Sequence, residues 1–362
     1  MLSNRKDPFI RIQRTVNVSS KRAWRIRILA LFLALLFISI ILLLLHFNPF
    51  SVYSAMVYGA FGKKLFIQET IKITIPLLIT ALGISFAFKM KVWNIGGEGQ
   101  ILVGGIAATF ISLRFSDFLP QFPLILLMGM AALMAGGIYG MIPGICKAKW
   151  NTNETLLTLM MNYIAVQWVV LLSNNPDWQD PANAYPKVRM LSFHSRLPKV
   201  FGVHIGWVIA LVLLIFFALY ITRTKQGYEI MVTGDSKNTA RYAGISVKRV
   251  MIRTMFLSAA FCGVAGFLQV SGADGTLSEA TAGGMGFTAI TVAWLSNMNP
   301  VGMLISALFI SALERGAGQI QTRFLIPESL ADIMIGIILL FMMGCEFFIQ
   351  YKLVFHKRGE EK

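Results

Sequence analysis

Long apolar runs separated by short polar segments recur along almost the whole chain. A helix of about 20 apolar residues crosses the roughly 30 Å hydrocarbon core of a bilayer. Windows of about 19 residues locate ten such runs, at 28–47, 66–88, 95–113, 122–146, 154–173, 204–222, 251–271, 285–297, 300–314 and 328–350. The pattern predicts an all-α polytopic membrane protein with about ten transmembrane helices.

Two of these runs, 285–297 and 300–314, are short because Ser296–Pro300 interrupts one apolar stretch. Nine or eleven helices are therefore also compatible with the pattern. The composition supports a membrane protein, since 56% of the residues are hydrophobic and only 14% are charged. A soluble chain of this length needs more polar surface.

Basic residues are numerous, with 33 Lys and Arg and a formal net charge of +16. They do not form one patch with interleaved aromatic residues, which disfavours nucleic-acid binding. Between the runs or at their ends, 23 lie on the side of the N-terminus and nine on the other side, and Lys72 lies further inside a run. The positive-inside rule then predicts that both termini are cytoplasmic.

The apolar runs divide the chain into three parts. Residues 1–27 form a basic cytoplasmic arm, residues 28–350 the transmembrane domain, and residues 351–362 a cytoplasmic tail. Within the transmembrane domain, residues 174–203 are rich in proline and aromatic residues and are predicted to be an external loop. Residues 223–250 are basic and polar and are predicted to be cytoplasmic.

No motif of an ATPase, a hydrolase or a metal site occurs in the sequence. The string nearest to a phosphate-binding loop, Gly59–Lys64, lacks both the required spacing and the hydroxyl. His-Glu-x-x-His and Gly-x-Ser-x-Gly are absent, and Cys146, Cys262 and Cys345 lack metal-ligand spacing. We therefore expect no catalytic residue, no metal ligand and no enzyme activity in the chain itself.

Two glycine-rich breaks interrupt the apolar pattern, one at 94–105, which begins with the string Asn94–Gln100, and one at 283–302. Their corresponding positions predict two pseudo-symmetric halves that contain broken helices. Two interpretations of the first break are open. Either Asn94 caps the helix that follows and Glu98 complements its dipole, or Glu98 and Gln100 line a gate or a polar path.

Carboxylates are few in and near the apolar runs. Asp274 and Glu279 fall in a polar loop that should face outside, as solvated groups or in contact with a docking protein or the substrate entrance. Glu314, Asp332 and Glu346 lie at helix ends or within the closing runs, where an ionised group normally faces a cavity or a partner. Arg315 and Arg323 are candidate partners.

Three strings carry a resemblance to a known family: Asn94–Gln100, Gly234–Ile245, and Gly286–Ala293 followed by Asn299–Gly302. In this order and spacing they resemble the permease subunits of ABC importers of the branched-chain amino acid, ribose and nucleoside group, over about residues 65 to 350. The first string resembles the nucleoside and simple-sugar branch, whereas the ribose branch tends to have an Asp-Leu-Ser type string.

The second string has the pattern of a short polar helix ended by glycine. The resemblance implies that this helix contacts an ATP-hydrolysing partner through Gly234, Asp235, Ala240, Tyr242, Gly244 and Ile245. Ser236, Thr239 and Arg241 stand where the family often has Asn, Ala and an acidic residue. These departures affect the details of the contact.

The resemblance implies a permease subunit of an ATP-driven importer in the bacterial cytoplasmic membrane. It would move purine-type nucleosides or related simple sugars inward by alternating access. No cofactor is expected in this chain, because ATP and Mg²⁺ would bind to two ATP-binding subunits on the cytoplasmic side. The other implied partners are a second permease, forming a heteromeric pair, and an extracytoplasmic substrate-binding lipoprotein.

Nucleosides and sugars are neutral and rich in hydroxyls, so their path needs amide, hydroxyl and aromatic side chains. The candidates in the two broken regions are Asn94, Glu98, Gln100, Thr288, Thr291, Trp294 and Asn297.

Two other transport functions fit the same pattern. A secondary transporter driven by an ion gradient would need carboxylates deep in the membrane for coupling, and an ABC permease for branched-chain amino acids would belong to the same family. An intramembrane enzyme is disfavoured because no nucleophile or metal-ligand cluster is visible. A scaffold is disfavoured because it would not need costly glycine-rich breaks.

Overall fold

The computed structural model describes residues 10–14, 20–181 and 185–355. These ranges hold thirteen α-helices: α1 Ser20–Leu44, α2 Pro49–Phe61, α3 Lys64–Lys89, α4 Gly97–Phe115, α5 Gln121–Trp150, α6 Glu154–Ser173, α7 Gly206–Arg223, α8 Lys225–Asp235, α9 Lys237–Tyr242, α10 Val247–Leu268, α11 Met285–Leu295, α12 Pro300–Phe324 and α13 Glu328–Gln350. They also hold four short strands: β1 Ile10–Arg14, β2 Lys199–Val200, β3 Val203–His204 and β4 Tyr351–Phe355.

Among the described helices, eight are long and apolar enough to cross a bilayer: α1, α3, α5, α6, α7, α10, α12 and α13. The prediction of an all-α polytopic membrane protein is confirmed at this level. Each of the ten predicted runs matches one helix, but α4 and α11 are not among these eight. The 13-residue helix α2 was not predicted, because it falls between two runs.

The chain divides into two compact units, one of residues 1–59 with 316–362 and the other of residues 60–315. In the first unit, α1 packs along α13. The strands β1 and β4 of that unit pair antiparallel, which joins the two ends of the described chain.

An ion pair links α1 to α13 within the first unit. Arg27 Nη2 lies 2.6 Å from Glu346 Oε1, and both side chains are largely buried. Glu346 therefore pairs with Arg27 and not with Arg315 or Arg323, the partners considered from the sequence. An ionised carboxylate in an apolar helix needs such a partner.

In the second unit, α3 and α10 form the centre, since most of their residues are buried. α10 packs against α3, α4 and α5. Glycine permits this close approach, because a Cβ on Gly263 of α10 would overlap the Ala132 carbonyl of α5. Small residues at helix contacts are typical of membrane proteins.

Residues 185–205, which lead into α7, fold against the end of α10. A π-helical turn, Gln269–Asp274, extends α10 at that end. The backbone N–H of Leu197 donates to the carbonyl of Ser271 in this turn at 3.0 Å. The predicted proline-rich loop therefore includes a part that holds the end of a central helix.

Candidate functional site

The Asn94–Gln100 string forms the end of the turn that follows α3 and the first turn of α4. Asn94 Nδ2 donates to Gln100 Oε1 at 3.0 Å and to Ser258 Oγ of α10 at 2.9 Å. In return, Gln100 Nε2 donates to Asn94 Oδ1 at 3.0 Å. Both amides are buried, so each satisfies the other where an unpaired polar group would be costly. Asn94 and Gln100 thus hold the turn together inside the protein.

Asn162 of α6, which is not among the residues predicted from the sequence, supports the same turn. Its Oδ1 accepts the N–H of Gly99 at 2.9 Å, and its Nδ2 donates to the Ile95 carbonyl at 2.9 Å. The sequence did offer a signal for this role, since an amide side chain within an apolar run needs a hydrogen-bond partner inside the protein.

Glu98 joins the two glycine-rich segments. Its Oε1 accepts the N–H of Gly284 and its Oε2 accepts the N–H of Gly286, both at 2.8 Å. These N–H groups lie at the start of α11, where a helix has unsatisfied donors and a partial positive charge. Gly284 is the N-cap residue of α11 and has a φ of +80°, which favours glycine. Glu98 therefore caps α11 as well as lying in the first turn of α4.

One face of α11 carries two of the predicted pathway residues. Thr291 and Trp294 follow Phe287 at helical spacing, which places all three on one side. Phe287 and Trp294 are exposed and Thr291 is half-buried. The Trp294 ring stacks on the Trp93 ring with 5.7 Å between centroids. This face is therefore an aromatic and hydroxyl-bearing surface.

Thr288 and Asn297 are placed differently from Thr291 and Trp294. The Thr288 hydroxyl donates to the Gly284 carbonyl within its own helix at 3.2 Å. Asn297 is exposed in the turn between α11 and α12 and has a φ of +50°. The second glycine-rich break is thus the pair of turns that precede and follow α11.

The region predicted as one short polar helix forms parts of two helices. α8 ends at Asp235 and α9 begins at Lys237. Ser236 lies between them, and its Oγ accepts the N–H of Thr239 at 3.2 Å. The prediction of a single helix is wrong because a serine followed by a polar turn is a strong helix start.

The predicted glycine stop of this region is confirmed. Gly244 has a φ of +74°, its N–H donates to the Arg241 carbonyl at 3.0 Å, and the Ile245 N–H donates to the Ala240 carbonyl at 2.9 Å. These two bonds form a Schellman motif. Ala240 is fully buried while Tyr242 is 94% exposed, so α9 presents Tyr242 outward.

The end of α8 is fixed to the end of α3. A Cβ on Gly234 would overlap the carbonyl of Lys89, the last residue of α3. Glu229 of α8 also pairs with Arg253 of α10 at 2.9 Å. The α8–α9 segment is therefore attached to both central helices. Its contact with α3 is at Lys89, just before the turn that contains Asn94.

Residues 66–343 match the model of the family described as "Branched-chain amino acid transport system / permease component". This match covers most of the chain. The chain therefore belongs to this family of permease components.

Three relatives are similar over most of their length. The guanosine ABC transporter permease protein NupP of Bacillus subtilis (strain 168) is 32% identical, covering 87% of this chain and 91% of its own. The nucleoside ABC transporter permease protein NupB of Lactococcus lactis subsp. cremoris (strain MG1363) is 32% identical, covering 87% and 89%. A glucose ABC transporter permease protein of Haloferax volcanii is 29% identical, covering 88% and 87%.

Proposed function

We propose that this chain is the transmembrane permease subunit of an ATP-driven importer that moves purine-type nucleosides or related simple sugars into the bacterial cytoplasm. Membership of the permease family supports the transport role. Relatives named for guanosine, nucleosides and glucose support a neutral substrate that is rich in hydroxyls. None of these three is named for a branched-chain amino acid, which makes that substrate the weaker choice.

Ten membrane crossings and two cytoplasmic termini belong to the same proposal. Helices α4 and α11 would add to the eight long helices, and an even number returns the chain to its starting side. The 23 Lys and Arg on that side, against nine on the other, support this orientation. Helices α8 and α9 are then cytoplasmic, and the segment 174–205 is external.

The cytoplasmic partners in this proposal are two subunits that bind ATP and Mg²⁺. Helix α9 is their docking site, since it is exposed apart from Ala240 and its end is defined by the Gly244 turn. Tyr242 is the anchor, because large exposed aromatic residues contribute strongly at protein interfaces. ATP hydrolysis takes place in those subunits and not in this chain.

The membrane and external partners are a second, different permease and a substrate-binding lipoprotein. The exposed face of α11, with Phe287, Thr291 and Trp294, is available to form a path together with the second permease. Aromatic faces and hydroxyls suit a sugar or a nucleobase. The external segment 174–205 is available to receive the lipoprotein.

The observation that carries the mechanism is a continuous series of contacts from α9 to α11. Gly234 of α8 packs on Lys89, which ends α3. The following turn leads to Glu98, whose carboxylate holds Gly284 and Gly286. Closure of the ATP-binding subunits moves α8 and α9, and these contacts pass the movement to α11, which opens the path to alternate sides.

Purification of the tagged chain from its native membrane in mild detergent tests this function. We expect an ATP-binding subunit to co-purify, and its ATPase activity to rise when guanosine and the binding lipoprotein are added. Recovery of the chain alone, with no associated ATPase, would contradict the proposal and favour a secondary transporter.

A further inference from the structure

An open cleft of about 340 Å³ lies in the second unit. It is bounded by the first turns of α3, the end of α10, the loop before α11, and α12. Its polar lining consists of Glu69, Lys72, Gln269, Asp274, Thr281 and Glu314. These residues are a different set from the predicted pathway residues, and on the proposed topology they lie at the external side.

The cleft has an excess of negative charge. Lys72 Nζ lies 2.7 Å from Glu69 Oε1, and Gln269 Nε2 donates to Asp274 Oδ1 at 3.0 Å. Three carboxylates and one ammonium give the lining a formal charge of −2. The nearby His204 adds no positive charge at neutral pH, since burial and the charge of Lys72 lower its pKa to about 4.

The negative charge of the cleft lining favours some classes of ligand over others. Carboxylate oxygens accept hydrogen bonds from hydroxyl and amino groups and repel phosphate groups. In the described part of the chain, no three His, Cys, Asp or Glu side chains are grouped so that they could hold a metal ion. A neutral ligand rich in donors therefore fits better than a metal ion or an anion.

We propose that this cleft is an entrance subsite that binds the donor groups of an uncharged nucleoside and rejects the phosphorylated nucleotide. The inference rests on the proposed function and adds the site and the basis of selection. A single carboxylate matches the adjacent N–H donors of guanine or the hydroxyls of ribose. The volume is at the small end of ligand clefts, which suits one nucleoside.

The test uses the complete importer in proteoliposomes with labelled guanosine. Asp274→Asn keeps the oxygen that accepts from Gln269 but removes the charge. We expect the guanosine concentration for half-maximal uptake to rise about tenfold, because a hydrogen bond to a charged group is lost. The matched control is Asp117→Asn, at an exposed carboxylate in the turn between α4 and α5, outside the cleft, and it should behave as the wild type.

The selectivity of uptake between nucleoside and nucleotide distinguishes a binding role of the cleft carboxylates from a structural role. In the triple variant Glu69→Gln, Asp274→Asn and Glu314→Gln, the formal charge of the lining becomes +1. Guanosine 5′-monophosphate should then compete with guanosine at least tenfold better than in the wild type, whereas misfolding would lower uptake without admitting the nucleotide.

Two results would overturn the inference. If the wild type imports guanosine but Asp274→Asn leaves the half-maximal concentration unchanged and the triple variant still rejects the nucleotide, the inference fails and the proposed function stands. If the wild-type complex imports neither guanosine nor glucose, the proposed function fails and the inference fails with it.

Discussion

At the scale of single residues, the carboxylate of Glu98 accepts two backbone N–H groups at the start of α11, each at 2.8 Å. Hydrogen bonds to a charged group contribute about 1.5–3 kcal/mol each. The bonds connect residues 186 and 188 positions apart, so they fix the two broken regions to each other.

Glu98→Gln should destabilise the protein by about 2 kcal/mol, because an NH2 group would replace one acceptor opposite a backbone donor. It should also reduce ATP-driven uptake. Thermal unfolding in detergent and uptake in proteoliposomes measure the two effects. The control Glu279→Gln, exposed in the loop before α11, should change stability by less than about 0.5 kcal/mol. Equal unfolding temperatures for the two variants would show that Glu98 has no such role.

Tyr242→Ala should leave stability within about 0.5 kcal/mol of the wild type, because the side chain is 94% exposed. If Tyr242 anchors the ATP-binding subunit, its affinity for the permease should fall at least about thirtyfold. Titration of the purified subunit onto detergent-solubilised permease measures this affinity. The control is Tyr185→Ala, at a tyrosine that is 84% exposed in the segment 174–205. Unchanged affinity for Tyr242→Ala would place the docking site elsewhere.

At the scale of elements, α4 and α11 approach closely at one glycine. A Cβ on Gly286 would overlap the backbone N of Glu98, and the backbone there has little freedom to move. Overpacking of a tight contact costs about 1–3 kcal/mol. The close approach and the Glu98 bonds are therefore parts of one arrangement.

Gly286→Ala should lower the unfolding temperature and reduce uptake for this reason. Gly336→Ala in α13 is the matched control, since a Cβ there meets no atom of the described residues within 4 Å. Alanine is the better helix former by about 1 kcal/mol, so the control should be neutral or stabilising. The same loss of stability in both variants would argue against a specific contact at Gly286.

His204 in β3 should make the stability of the folded protein depend on pH. Both of its ring nitrogens are buried without a hydrogen-bond partner among the described residues, and its pKa is lowered from 6.5 to about 4. The unfolded chain therefore binds a proton between about pH 6.5 and 4 that the folded chain does not. Stability should be lost as the pH falls through this window, by up to about 3 kcal/mol.

Unfolding of the wild type and of His204→Gln, measured in detergent between pH 7 and 4, tests this expectation. The variant has no titrating group at this position, so it should lose less stability on acidification. His194→Gln, at an exposed histidine, should retain the dependence of the wild type. Identical pH profiles for the wild type and His204→Gln would contradict the assignment.

At the scale of the whole molecule, the sequence predicted those features that depend on local composition. Apolar length is a local property, so every predicted run matches a helix, and the glycine stop at Gly244 could be read from its neighbours. The pairing of β1 with β4 and the bonds of Glu98 to α11 could not be predicted, because they join residues far apart in the chain. Asp274 could be considered for the substrate entrance from its loop position, but the cleft around it could not be predicted, since its lining comes from four separate segments.

The central claim is that this permease moves a neutral nucleoside at the expense of ATP hydrolysed by its partners. Uptake of labelled guanosine into proteoliposomes that contain the co-purified complex and its binding lipoprotein tests it most directly. We predict uptake only when ATP and Mg²⁺ are supplied at the cytoplasmic face, and no change when ion gradients are collapsed. Guanosine uptake that proceeds without ATP and stops when an ion gradient is collapsed would contradict the claim.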